Sequence, residues 1–265
     1  MRPIFATLTL ALGLVVDGGS AAHLRPGTLA GWNQYVTAVE SRRQSESGRT
    51  DRFLVTDHHA TAASDRQALM AGRLVVHRVD SPALDAIEVD DAMVHHWRGA
   101  VLLRGVTLDA LMQRLQTEAP PTSPEVLRAS VLERRPSFIK VFLRLQRTKI
   151  VTVVFNTEHE VTFMRHAPNR ASSRSVATRI AEVDEAGTPR ERERPAGEDR
   201  GFLWKLNAYW RYEAVPGGVI AECESISLSR DVPFGLGAIV GPIIRSTARE
   251  SMERTLESLQ NMAGP

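Results

Sequence analysis

The chain is poor in features that would announce a function. Its 265 residues hold a single cysteine, Cys223, so no intramolecular disulfide staples the fold. Lysine occurs only at Lys140, Lys149 and Lys205, and every other basic residue is arginine. Neither charge sign dominates: 33 basic side chains face 31 acidic ones, without the basic excess of a nucleic-acid binder. Aromatic residues make up 6% of the chain. No apolar run outside the first residues approaches the length of a bilayer span. Familiar catalytic spacings are absent too. There is no Gly-x-Ser-x-Gly elbow. The three glycines of Gly235-Leu-Gly-Ala-Ile-Val-Gly241 have the wrong spacing for a dinucleotide loop. His58-His59 and His95-His96 are adjacent pairs, and on a strand neighbours point to opposite faces, so neither pair chelates a metal. No metal or cofactor is expected.

What is present is an ordinary globular composition, 43% hydrophobic and 24% charged. Arg2 is followed by an uncharged, mostly apolar stretch from Ile4 to Val16, then by small residues at Ser20 and Ala22. This is the pattern of a secretory signal with cleavage near Ala22, which predicts an exported protein, periplasmic or extracellular, with no integral membrane span after signal removal. Three segments follow: the signal at 1–22, an N-terminal extension at 23–92, and a main domain at 93–265.

Within the extension, Leu29, Trp32, Tyr35, Val36 and Val39 recur at helical spacing, predicting a helix over 27–43. Phe53–Val55 and Leu74–Val76 read as short strands, and Asp65–Ala71 as a short helix. In the main domain Val94–Leu103 is a strand, and Thr107 caps a helix over Leu108–Gln116. The apolar period then changes to two. Strands are predicted at Val126–Arg134, Phe138–Gln146, Ile150–Met164, Ser172–Val183, Phe202–Ala214 and Val219–Ser229, mostly joined by short turns, which implies an antiparallel meander. Ala186–Arg200 is a long, charged, Pro- and Gly-containing loop and a candidate gate. Gly235–Gln260 ends the chain as an apolar-faced helix that Pro242 should kink or start. The simplest arrangement is α+β, a curved antiparallel sheet with the last helix laid across it.

Alternation along the late strands places Phe202, Trp204, Leu206, Ala208, Trp210 and Tyr212 on one face, which must meet something apolar. On the last strand Glu222 and Glu224 share one face, and Ala221, Cys223 and Ser225 the other. Either face is a candidate for the interior. Arg179, Arg211 and Arg230 are candidate cross-strand partners for the two glutamates.

Several segments together resemble the SRPBCC/START-like superfamily of helix-grip domains. They are His95-His-Trp-Arg-Gly-Ala100, Gly105-Val-Thr-Leu-Asp109, Lys149–Val154, Ser175–Ala181, Gly201–Tyr212, Ala221–Arg230 and Pro233-Phe-Gly-Leu-Gly237. The likeness covers roughly residues 94–262 and is nearest to uncharacterised exported bacterial members. It implies a cavity between sheet and C-terminal helix and a hydrophobic small molecule or lipid as partner. The expected lining is Phe155, Trp204, Leu206, Trp210, Tyr212, Ile239, Ile243 and Met252, with Arg179, Arg211, Glu222 and Glu224 as polar pocket candidates. It carries over no catalytic residue. Two alternatives stand beside this reading. One is a cyclase-like or hydrolase-like enzyme using a pocket Glu/Arg pair. The other is an interaction module presenting the Trp/Tyr face to another protein.

Overall fold

The computed structural model describes residues 24–47, 49, 51–148, 152–231 and 237–263, with the backbone alone for 237–245, 247 and 263. The signal-like segment, Ile150 and the Pro233–Leu236 turn lie outside the described residues.

The extension begins with α1 (Pro26–Ser47), longer at both ends than the apolar spacing predicts. Next comes a 3₁₀ turn at Val55–His58, then α2 (Ala62–Met70), β1 (Val75–Arg78) and the single turn α3 (Pro82–Asp85). The strand expected at Phe53–Val55 does not form. The Asp57 carboxylate accepts the backbone N–H groups of Phe53 and Leu54 at 3.2 and 3.0 Å, and so folds the chain back on itself.

The main domain is β2 (Ala92–Arg104), α4 (Leu108–Thr117), β3 (Val126–Arg135), β4 (Phe138–Thr148), β5 (Thr152–Ala167), β6 (Arg170–Asp184), the two-residue β7 (Arg192–Glu193), β8 (Lys205–Val215), β9 (Gly218–Arg230) and α5 (Gly237–Ala263). Thr107 caps α4 as expected, its hydroxyl accepting from Ala110 N–H at 3.2 Å. Pro242 does not start the last helix, which already begins at Gly237. The strands form one antiparallel sheet in the order β1-β2-β9-β8-β6-β5-β4-β3, with β7 alongside β6. The β8–β9 hairpin turns on Gly217, whose φ of +83° suits glycine and strains other residues.

Each face of the sheet is covered by a different part of the chain. On the inner face, α5 and α4 close over Val101, Leu103, Ala171, Tyr212, Ala221 and Cys223, with Leu108, Leu111, Met252 and Leu256 packed against them. Helix α5 packs tightly over Gly99, where an added Cβ would stand 2.7 Å from Leu256 Cδ1 and 2.9 Å from Met252 Cγ. Gly99→Val is therefore expected to destabilise the protein by about 1–3 kcal/mol through overpacking. An unchanged denaturation midpoint would show that α5 does not seat there.

On the outer face lies the extension. Helix α1 packs Trp32, Tyr35 and Val39 onto Tyr209, Ile226 and Leu228. The 3₁₀ turn and α2 pack Phe53, Leu54 and Leu69 onto Val75, Ala100, Leu102 and Ile220. β1 pairs directly with β2, so the extension contributes an edge strand to the sheet as well as a cover.

Candidate functional site

Helix α4 presents Asp109, Met112, Gln113 and Gln116 along one side, at the i, i+3, i+4, i+7 spacing of a helical face. Opposite stand Phe163, Met164 and Arg165 from the end of β5 and Ser137 from the β3–β4 turn. Between them is a cavity of about 320 Å³. Met112 belongs to the inner core cluster and Phe163 packs against it, so the floor of this cleft is the outer side of the apolar packing beneath α5. Its rim is polar, with Arg165 paired to Asp109.

The sequence-predicted lining residues are distributed differently. Trp210, Tyr212 and Met252 do meet on the inner face. The rings of Trp210 and Tyr212 stack at 6.1 Å between centroids, and Met252 and Leu256 pack in the same cluster. Tyr212 is buried there and Trp210 half-buried, while Phe202 of the predicted face stays exposed. Leu206 is half-buried, opposite Ser227 in the β8–β9 ladder. Phe155 is buried in a satellite cluster with Leu145 and Val153. The side chains of Ile239 and Ile243 lie outside the described residues.

Trp204 is a correction. It packs with Trp32, Tyr35 and Tyr209 on the outer side, away from Trp210. β8 begins only at Lys205, so the alternation read through Phe202 and Trp204 has no ladder to follow. Instead Asp199 accepts from Gly201 N–H at 2.7 Å and from Trp204 Nε1–H at 2.8 Å, and turns the segment outward. The loop proposed as a gate is tied to the sheet. β7 pairs with β6, and Arg200 and Arg194 bond the Glu182 and Asp184 carboxylates.

The polar candidates are corrected as a group. Glu222 and Glu224 do not face the cavity under α5; they lie on the outer face, beneath the extension. Glu222 is 1% exposed and accepts from the N–H groups of Val55 and Thr56 at 2.6 and 2.8 Å, and from the Thr56 hydroxyl. Glu224 is wholly buried. It binds Arg42, Arg43 at 2.6 Å and His96 Nε2 at 2.8 Å. Burial would push Glu224 up, but the His96 hydrogen bond and the Arg43 and Arg42 guanidiniums outweigh it and hold the carboxyl well below its usual range. Arg211 is buried beside them, donating to the backbone oxygens of Phe53 at 2.8 Å and Arg43 at 3.1 Å and pairing with Glu46 at 3.1 Å. Arg179 is elsewhere, on the surface with Glu193.

Sequence reading missed the partners Tyr35, Arg42, Arg43 and His96. The signal was on α1, where 32, 35, 39, 42, 43 and 46 form one helical stripe that changes from apolar to charged. Cys223 is buried on the inner face, opposite Gly99 and Trp210 in the ladders, and burial pushes its thiol up, which keeps it protonated and unreactive.

A strand and a helix lead into six long antiparallel strands, and a 27-residue helix then crosses the sheet. The fold is helix-grip, START-like. No family model and no curated protein matches the chain. Solved structures with helix-grip likeness include a STAR-related lipid transfer protein from Xanthomonas axonopodis, 14% identical over 63% of this chain and 97% of that one, with a TM-score of 0.38. The human StarD13 lipid transfer and protein localization domain is 9% identical over 78% and 98%, at 0.41. The Zhui aromatase/cyclase from Streptomyces sp. R1128 is 12% identical over 64% and 94%, at 0.34. At these identities and scores the helix-grip likeness says nothing of ligand or reaction. Among the described residues no helix is long and apolar enough to cross a membrane, and no cluster of His, Cys, Asp and Glu has the makings of a metal site.

Proposed function

We propose that the chain is an exported protein that binds or carries a hydrophobic small molecule or lipid on the inner side of its sheet. The observation that supports this is the cleft of about 320 Å³ between α4 and the end of β5, whose floor, Met112 and Phe163, packs against the inner core cluster. The volume is at the lower end of small-molecule sites, about 300–1,000 Å³. An amphiphile fits it with the tail against Met112 and Phe163 and the polar end among Gln113, Gln116 and Ser137. The enzyme alternative loses its premise, since the Glu/Arg groups it invoked lie on the opposite face. Export rests on the signal-like first 22 residues, and N-terminal sequencing of secreted material should begin near residue 23.

Organic extraction of the purified protein, followed by mass spectrometry, is expected to recover an apolar ligand. Met112→Trp, which fills the cavity, should lower its occupancy about tenfold, equivalent to about 1.4 kcal/mol. Repeated recovery of nothing apolar, or full occupancy in the tryptophan variant, would sink the proposal.

A further inference from the structure

The outer face holds a second cavity that the lipid reading leaves unused. It has a volume of about 190 Å³ and opens where α3 and the segment after it meet β1 and β2. Tyr35 and His96 form its buried floor. Leu84, Ile87, Val89 and Val94 give it aliphatic walls, and Arg78 and Asp85 stand exposed at its rim.

The floor is a chain of polar contacts. Glu224, ionised between two guanidiniums, only accepts hydrogen bonds, so His96 Nε2 carries the hydrogen of their 2.8 Å contact. The other ring nitrogen, Nδ1, meets the Tyr35 hydroxyl at 2.9 Å, a contact that either atom can donate. The phenol oxygen keeps a lone pair toward the cavity whichever way that contact runs, and it carries a single hydrogen. Burial, with the Asp85 and Glu224 carboxylates nearby, pushes Tyr35 up to about 12, so that hydrogen stays in place.

The rim adds one charge of each sign. Asp85 makes no ion pair among the described residues, while Arg78 meets only the exposed Asp80, at 3.2 Å. Both charges are close enough to act on the Tyr35 hydroxyl. The cavity thus offers two acceptors for a cation, one cation for an anion, and an aliphatic wall between. At about 30 Å³ per water it has room for about six water volumes, the size of a small metabolite.

We propose that this cavity binds a small aliphatic amino acid, or a zwitterion of that class. Its ammonium lies between Asp85 and Tyr35 Oη, its carboxylate on Arg78, and its side chain on Leu84, Ile87 and Val94. The site is separate from the lipid cavity, on the other face of the sheet, and stands or falls independently of it.

Calorimetric and ligand-observed NMR titration of the full chain tests this with L-leucine, 4-methylpentanoate and 3-methylbutylamine at millimolar concentrations. Leucine is expected to bind, and each single-charge analogue to bind at least about tenfold more weakly. Arg78→Ala and Asp85→Asn change exposed rim residues and leave the fold intact. Each should weaken leucine about tenfold, and Tyr35→Phe about fivefold together with a lowered melting temperature, since it also removes the hydroxyl that buried His96 contacts. No saturable leucine signal, equal binding of all three compounds, or full leucine affinity in both rim variants would overturn the proposal.

Discussion

Replacing Glu224 with glutamine is expected to cost roughly 3–5 kcal/mol of folding stability, the usual penalty for stranding buried charges. The variant keeps the shape of the side chain and removes only its charge. Arg42 and Arg43 then lose their shared counter-ion beneath α1, and His96 loses an ionised acceptor. A third guanidinium, Arg211, is buried alongside, and Glu46 is left as the carboxylate shared by Arg42 at 3.2 Å and Arg211 at 3.1 Å. Against a typical total of about 5–15 kcal/mol, the loss is large. It should also be local at first: α1 should leave the sheet before the sheet itself unfolds, and limited proteolysis should cut first within the extension. Adding Arg43→Gln should recover part of the loss, because the two positions interact directly. A cost below about 1 kcal/mol, the range of solvated surface pairs, would mean that α1 is not clamped at Glu224.

Acidification from pH 7 to pH 4 is expected to destabilise the protein by about 3 kcal/mol for each of two histidines. Burial pulls His159 down to about 4, and burial together with the nearby Arg78 does the same to His95. Both are kept neutral in the folded chain, where His159 Nε2 meets the Thr157 hydroxyl at 2.9 Å and His95 Nε2 meets the Ser229 hydroxyl at 2.9 Å. The unfolded chain takes up these protons as pH falls through about 6.5, and the folded chain only near 4. Stability is therefore fully present above 6.5 and drains away between 6.5 and 4. Glu224 acts in the same direction lower down. Its contribution is present above the ordinary carboxylate range and is lost as pH falls through its depressed folded value. Chemical unfolding at pH 7 and pH 4.5 separates these terms. His159→Gln should flatten the upper part of the profile, and an identical slope in parent and variant would exclude His159 as its source.

Much of the architecture was legible in the sequence because it is local. Strand alternation, the cap at Thr107 and the apolar stripe of α1 are properties of neighbouring residues, and they fall where the period and the turn chemistry put them. The two strand-end failures share one cause, an aspartate a few residues away that captures local N–H groups. Asp57 folded Phe53–Val55 into a turn instead of a strand. Asp199 turned Trp204 out of register with Trp210. No periodicity records such contacts.

The sequence alone determined the α+β order of elements, the antiparallel character of the sheet and, within the ladders from Lys205 onward, which residues of the last two strands share a face, since alternate residues must part to opposite sides. Only the tertiary structure decided which face was inside. Glu222 and Glu224 read as easily as cavity acids as anything else, until α1 and the 3₁₀ turn were found over them with Arg42, Arg43 and two backbone N–H groups. A carboxylate can be buried only where its hydrogen bonds and counter-charges are supplied, and those came from residues more than 120 positions earlier in the chain.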